Sequence, residues 1–122
     1  MDNMDVQRGI ESKISLLEKC RQQLSTRATA KSKATAEYDK VLAVTILRMR
    51  NGEVMVHEGQ KIDTPQATLI EKIAKGVCWK ERLEMDTAEN MYDALLTNIR
   101  CIMAELNALQ SINKLNREMI GG

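Results

Sequence analysis

Apolar residues recur at alternating three- and four-residue steps through the last third of the chain, and this spacing constrains the fold more than any other feature. A heptad pattern sustained for more than three repeats is typical of a helix that packs along one side against other helices. We therefore predict a long, coiled-coil-like helix from about residue 79 to residue 119. The residues predicted to form its dimer or bundle core are Met85, Tyr92, Leu95, Ile99, Ile102, Leu106 and Leu109.

The positions that flank this seam indicate how many helices it contacts. A two-stranded coiled coil carries charged residues there, whereas this chain has further apolar side chains that widen the buried stripe. A single partner helix cannot cover so wide a stripe, so a helical bundle is predicted. Asn113 and Asn116 continue the seam and would fix the helix register if they are buried, or would be solvated if the end frays. The flanking apolar residues are Met91, Leu96, Met103 and Ile112.

The first half of the chain predicts a second long helix, over residues 5–50. This stretch lacks proline and carries apolar side chains at steps of three, four and seven residues. Asn51 and Gly52 follow, and both tolerate the left-handed conformation that ends helices. Within the helix, residues 25–36 are mostly Ser, Thr, Ala and Lys, which indicates either close approach of a neighbouring helix or weak packing.

Residues 51–64 form the predicted connector between the helices. Residues 53–58 alternate weakly in polarity and would suit a short strand or one arm of a hairpin. Thr64 is suited to the N-cap of a helix and Pro65 to its first position. A short helix over residues 65–75 is therefore predicted, closed by a glycine cap at Gly76. The alternative is a longer helix that contains Gly76, since a glycine inside a helix costs only about 1 kcal/mol.

Composition supports an all-α fold. The chain has no phenylalanine, one proline, one tryptophan and two tyrosines, which disfavours a β-sandwich or barrel. We predict a single domain over residues 1–122, built as a long antiparallel helical hairpin with a short connecting helix. Because one hairpin covers only part of a wide apolar stripe, we also predict a homodimer with a four-helix core.

The formal net charge is only +1, but the charges are unevenly distributed. Residues 1–50 contain ten Lys and Arg against six Asp and Glu, and residues 51–122 contain eight against eleven. The two halves would attract each other in an antiparallel hairpin, or the basic stretch would contact the phosphates of nucleic acid as a secondary activity. The candidate nucleic-acid-binding residues are Lys19, Arg21, Arg27, Lys31 and Lys33.

No catalytic, cofactor or metal motif is recognisable. His57 is the only histidine, and no nucleophile or carboxylate is tied to it by a known local pattern. Glu81 and Glu84 lack the histidine that accompanies carboxylates in bundle metal sites, so a solvated acidic face is expected. Three isolated cysteines and the lack of a signal peptide at the N-terminus predict a cytoplasmic protein without a membrane segment. The chain is therefore predicted not to be an enzyme.

The predicted tip of the hairpin is the candidate surface for a protein partner. Trp79 lies beside the expected helix break at Gly76, where it would either anchor an interface or cover the end of the core. The candidate partner-binding residues are Met55, His57, Ile73, Val77 and Trp79.

One group of residues marks the order of helices over about residues 37–110, namely Ala43, Ile46, Leu47, Arg48, Leu69, Ile70, Lys75, Gly76, Glu84, Ala88, Glu89, Tyr92, Ile99, Leu106 and Gln110. This order resembles that of small uncharacterised proteins from phages and prophages of Gram-positive bacteria. The chain departs from their pattern by a longer connector around residues 54–63. The resemblance implies a bacterial host cytoplasm and a helical adaptor or inhibitor acting on DNA-metabolism or defence machinery. The alternatives are an accessory protein that binds single-stranded DNA and a structural protein of phage assembly.

Overall fold

The structure is a computed structural model that describes residues 2–53, 55–62 and 66–121. Its order of a long, a short and a long helix confirms the predicted all-α class. The residues predicted to begin the short helix, Thr64 and Pro65, lie outside the described residues. The elements are α1 over Asn3–Arg50, β1 over Met55–His57, β2 over Gln60–Ile62, a 3-10 turn over Ala67–Leu69, α2 over Ile70–Val77 and α3 over Trp79–Gly121.

The end of α1 is fixed by backbone hydrogen bonds of the Schellman type. The Gly52 N–H donates to the Met49 carbonyl at 3.1 Å, and the Glu53 N–H donates to the Arg48 carbonyl at 3.1 Å. Gly52 has φ +76°, the left-handed conformation that this motif requires. The helix therefore stops at Arg50, directly before the Asn51-Gly52 pair.

The connector contains a β-hairpin. Strands β1 and β2 pair antiparallel, with Met55 opposite Ile62 and His57 opposite Gln60. The two residues of the turn, Glu58 and Gly59, have φ values of 51° and 77°. Two positive φ angles in a two-residue turn match the right-handed twist of the strands, so the turn closes the hairpin without splaying it.

Helix α2 ends later than the sequence predicts. It runs to Val77, so Gly76 lies inside the helix and the predicted glycine cap is wrong. The Cys78 N–H donates to the Ala74 carbonyl at 3.0 Å and the Arg82 N–H to the Cys78 carbonyl at 3.1 Å. Helical bonding thus continues on both sides of Cys78, where φ −91° and ψ 26° mark the break. Gly76 has helical rather than left-handed backbone angles, and a glycine within a helix costs about 1 kcal/mol relative to alanine.

The chain groups into two compact units. The terminal unit consists of Met1–Ala28 with Met91–Gly122, and the central unit consists of Thr29–Asn90. Each of these units has its own buried cluster of apolar residues. The sequence pattern predicts a single domain and does not indicate this grouping.

In the terminal unit the two helical segments pack antiparallel. Lys13 pairs with Glu105, and further along α1 the Arg27 guanidinium donates to the Met91 carbonyl at 2.9 Å. A Cβ at Gly9 would lie 3.0 Å from Leu109 Cδ1, so the helices approach closely there. The buried cluster is Cys20, Leu95 and Ile102, with Leu17, Leu24 and Ile99 packed against it.

In the central unit, more segments of the chain pack around the core than in the terminal unit. The end of α1, the β-hairpin and α2 all contribute side chains to one cluster. Beside it, the buried Thr45 hydroxyl lies 3.5 Å from the Cys78 thiol. The cluster consists of Met49, Ile70 and Ala74, with Leu42, Ile46, Met55, Ile62 and Ile73 packed against it.

Candidate functional site

An open groove of about 520 Å³ runs along the outer side of α2 and the start of α3 in the central unit. Its lining residues follow one another at three- and four-residue steps, so they form a single helical face across the break at Cys78. We name this surface the Trp79 face. It consists of Lys72, Lys75, Gly76, Trp79, Arg82, Leu83 and Asp86.

This face points outward because the opposite side of the same helices is buried. Ala74 is fully buried and Cys78 is 1% exposed. At 100° per residue, Trp79 and Leu83 lie roughly 140° and 180° around the helix axis from Ala74. The core therefore takes one side of α2 and α3, and the Trp79 face is the other side.

The floor of the groove is apolar and accessible. Trp79 is 43% exposed and Leu83, one turn further along α3, is 58% exposed. The Lys80 ammonium lies 5.6 Å from the centroid of the Trp79 ring, a cation–π distance. Among the described residues, nothing lies within 4 Å of a Cβ built at Gly76, so the backbone is open to a partner there.

The rim of the groove is mainly basic. Lys72, Lys75 and Arg82 contribute three positive charges to the lining, against one negative charge from Asp86 and a second from Glu71 beside Lys75. Lys75 Nζ lies 3.2 Å from a carboxylate oxygen of Glu71, and Arg82 Nε lies 4.0 Å from one of Asp86. Exposed pairs of this kind contribute about 0–1 kcal/mol, so both cations can exchange partners at little cost.

The structure places the predicted partner-binding residues in different surroundings. Trp79 is one of the residues that line the groove. Met55 and Ile73 are half-buried and pack against the central core, so they support the hairpin and α2. His57 and Val77 are half-buried and lie outside the groove lining.

Leu83, Lys72 and Arg82 line the groove but are not among the partner-binding residues predicted from the sequence. Leu83 lies four residues after Trp79, Lys72 lies seven residues before it, and Arg82 lies three residues after it. This helical spacing is the signal that could have identified them. Helical spacing alone does not distinguish the Trp79 face from the buried side of α2 and α3, because both sides of these helices carry apolar residues.

The predicted nucleic-acid-binding residues do not form one stripe on α1. Their spacing of two, six, four and two residues distributes them around the helix at 100° per residue. Arg27 uses its guanidinium to bind the Met91 carbonyl, and Arg21 lies 3.9 Å from Glu18. Lys19 and Lys33 are exposed, and Lys31 is half-buried.

The seam of α3 is only partly covered. Within the terminal unit, Leu95 and Ile102 are buried, and Met91 and Met103 at the flanking positions are about half exposed. Asn116 Nδ2 is buried and has no hydrogen-bond partner within the described part of the chain. Asn113 is half-buried. The remaining predicted core residues are half-buried, namely Met85, Tyr92, Ile99, Leu106 and Leu109.

Among residues 2–53, 55–62 and 66–121, no group of three His, Cys, Asp or Glu side chains is arranged to hold a metal ion. No helix in the same part of the chain has a stretch long and apolar enough to span a membrane.

The Arg48 side chain donates two hydrogen bonds to Glu53, at 2.7 and 3.0 Å, and these lower the pKa of the Glu53 carboxyl. The pair closes the end of α1 and lies away from the groove lining.

Comparisons of the chain with models of protein families, with curated proteins and with solved structures find no match.

Proposed function

We propose that this protein is a non-enzymatic helical adaptor or inhibitor that acts by binding another protein through the Trp79 face. The observation that carries the proposal is the exposure of Trp79 and Leu83 side by side in an open groove. Tryptophan is among the residues that contribute most to protein interfaces, especially when neighbouring contacts exclude water from it. A partner side chain inserted between Trp79 and Leu83 would bury both.

The composition of the face also favours binding over catalysis. Its polar groups are lysine, arginine and one aspartate, and its floor is apolar. Lysine and arginine around an apolar centre resemble the polar rim and apolar core of a protein interface. The groove thus suits recognition by shape and charge.

We further propose that the terminal unit pairs with a second copy to make a four-helix core. Met91 and Met103 lie about half exposed beside the seam, and Ile14 of α1 is also half exposed. The buried Asn116 Nδ2, which has no hydrogen-bond partner among the described residues, would donate a hydrogen bond to an acceptor of a second copy, as asparagines do in coiled-coil interfaces. Light scattering with size exclusion should then give twice the chain mass of 13.8 kDa. The chain mass itself would contradict the dimer.

The proposed setting is the cytoplasm of a bacterial host of a phage or prophage, with DNA-metabolism or defence machinery as the target. The resemblance in helix order over about residues 37–110 supports this setting. It carries no mechanism, because a shared order of helices does not define a binding site.

The proposal is tested by capturing proteins from bacterial lysate on the immobilised chain and on two variants. Trp79→Ala should reduce the captured partner by about tenfold or more, which corresponds to a loss of roughly 1.4 kcal/mol. Leu47→Ala is the matched control, because Leu47 is an exposed leucine of the same unit outside the groove. Both variants should keep the unfolding midpoint of the parent chain. Equal capture by all three proteins would refute the role of the Trp79 face.

A second candidate function is accessory binding of single-stranded DNA. The exposed Lys19 and Lys33 favour it, together with the absence of acidic residues between them in the sequence. It requires affinity for an oligonucleotide that falls steeply with salt and is lost in a Lys31→Glu, Lys33→Glu double variant. Regular assemblies much larger than a dimer would instead support a structural role in a phage particle.

A further inference from the structure

We infer that the partner segment recognised by the Trp79 face is an acidic amphipathic helix, a step that rests on the proposed function. Such a helix carries apolar side chains along one side, with Asp or Glu beside them. The length, the charge and the apolar floor of the groove support this partner.

The shape of the groove matches a helix lying along another helix. Its lining runs from Lys72 to Asp86 along α2 and α3, a distance of about 21 Å at 1.5 Å per residue. A partner helix presents anchors at steps of three or four residues, which is the spacing of the groove itself. Gly76 has no side chain, so a partner backbone or a large partner side chain can approach this face there.

The charge of the groove selects an acidic partner. Lys72 and Lys75 lie on one side of Trp79 in the sequence and Arg82 on the other, and Lys80 lies over the Trp79 ring. Carboxylates of a partner helix would replace the weak pairing of Lys75 with Glu71 and of Arg82 with Asp86. A basic helix would meet like charges at these positions, which lowers its affinity.

The floor favours a protein helix over a nucleic acid. Leu83 is 58% exposed and offers an apolar surface that a phosphate backbone cannot use. Proteins that bind single strands stack successive bases on several aromatic rings. The groove has a single ring, Trp79, and the Lys80 ammonium lies near its centroid.

The experiment selects binders from a display library of helical peptides with randomised surface positions, using the intact chain as bait. Counter-selection against Trp79→Ala removes peptides that bind elsewhere. Selected peptides should carry Leu, Ile or Met at steps of three and four residues, flanked by Asp or Glu. Selected peptides that are neutral or basic, or an absence of peptides that depend on Trp79, would overturn the inference.

Affinity is then measured by the fluorescence of Trp79, the only tryptophan of the chain, with peptides that contain none. A Lys72→Glu, Lys75→Glu double variant should bind the best peptide about tenfold more weakly, and Lys72→Arg, Lys75→Arg should bind it nearly as well as the parent. Leu47→Ala should bind like the parent. Equal affinity of the Glu and Arg variants would contradict the charge argument, and tighter binding of a single-stranded oligonucleotide at the same face would favour nucleic acid.

The failures of the two proposals are distinguishable. If capture from lysate depends on Trp79 but an acidic peptide does not compete with the captured protein, the face binds a protein and only the inferred chemistry is wrong. If capture is the same with Trp79→Ala, the proposed function itself fails.

Discussion

The two units differ in how completely their apolar residues are covered. In the central unit, the end of α1, a β-hairpin and α2 surround one cluster, and Ala74 is fully buried. In the terminal unit two helical segments pack against each other, and Met103 beside the seam is 49% exposed. A heptad seam therefore shows which side of a helix is apolar, whereas the number of packed segments decides how much of that side is buried.

Both units bury a cysteine beside a polar side chain, but the contacts differ. In the central unit the Thr45 hydroxyl donates to the Val41 carbonyl at 2.8 Å, which leaves its oxygen to accept the Cys78 S–H at 3.5 Å. In the terminal unit the Asn98 amide donates to the Cys20 sulfur at 3.9 Å. The Cys78 thiol of the central unit is thus a hydrogen-bond donor, and the Cys20 thiol of the terminal unit is an acceptor.

The largest expected effect comes from truncating the core of the terminal unit. Leu95→Ala should lower the free energy of unfolding by about 2–4 kcal/mol, because Leu95 is almost fully buried in a core that cannot close the cavity. Urea unfolding measures the change. Met103→Ala is the comparison, with an expected loss below about 1 kcal/mol in a dilute monomer.

The same pair of variants tests how the terminal unit is covered. If Met103→Ala costs as much as Leu95→Ala, and its cost grows with protein concentration, a second copy buries Met103. If Leu95→Ala changes stability by less than Met103→Ala at every concentration, the assignment of Leu95 to the core is contradicted.

The next effect comes from enlarging a side chain in the central core. Ala74→Leu should destabilise the protein by about 1–3 kcal/mol, because Ala74 is fully buried among Met49 and Ile70 and has no room for three more carbon atoms. Thermal unfolding followed by circular dichroism measures it. Ala43→Leu is the control, since Ala43 is exposed on α1 in the same unit. An Ala74 variant as stable as this control would mean that the core is loosely packed.

Substituting alanine for two helical glycines, one in each unit, should change the stability of the protein by different amounts. Gly76→Ala should stabilise the chain by up to about 1 kcal/mol, because the new methyl group meets no described atom within 4 Å. Gly9→Ala should give a smaller gain or a small loss, because the methyl group would lie 3.0 Å from Leu109 Cδ1. Unfolding midpoints of both variants measure the difference. A larger gain at Gly9 than at Gly76 would contradict the close approach of the helices in the terminal unit.

The smallest effect concerns the ion pair at the end of α1. The Arg48 hydrogen bonds lower the folded-state pKa of Glu53, so the pair stabilises the protein above the unfolded carboxyl pKa of about 4.3. This contribution is lost as pH falls through the lower folded-state pKa. The same hydrogen bonds raise the pKa of Arg48, which stays charged throughout this range.

Glu53→Gln should therefore be slightly less stable than the parent near neutral pH, and the difference should vanish in acid. Unfolding midpoints from neutral pH to about pH 3 measure it, below the ordinary carboxyl pKa. Glu58→Gln, an exposed change in the same connector, is the control. A difference that persists unchanged in acid would show that the Gln variant acts by a route other than the ion pair.

The sequence predicts the order of helices because apolar periodicity over dozens of residues is a strong signal. It also predicts the stop after Arg50, where Asn51-Gly52 can take the left-handed turn. Gly76 misleads because a glycine that caps a helix and one inside a helix look alike in a single sequence. Trp79 is predicted as an interface residue, but the neighbouring Leu83 is not. Leu83 and the buried Cys78 both continue apolar steps, and only tertiary packing decides which side faces inward.

The grouping of the chain into units has a consequence for the order of folding. The central unit is continuous in the sequence, and its Thr45 and Cys78 are 33 residues apart. The terminal unit joins two separate segments, and its Cys20 and Asn98 are 78 residues apart. Closing the longer loop costs more entropy, although a folded central unit would shorten it. During synthesis the central unit can form before residues 91–121 are available, and the two segments of the terminal unit can pair only once those residues have been made.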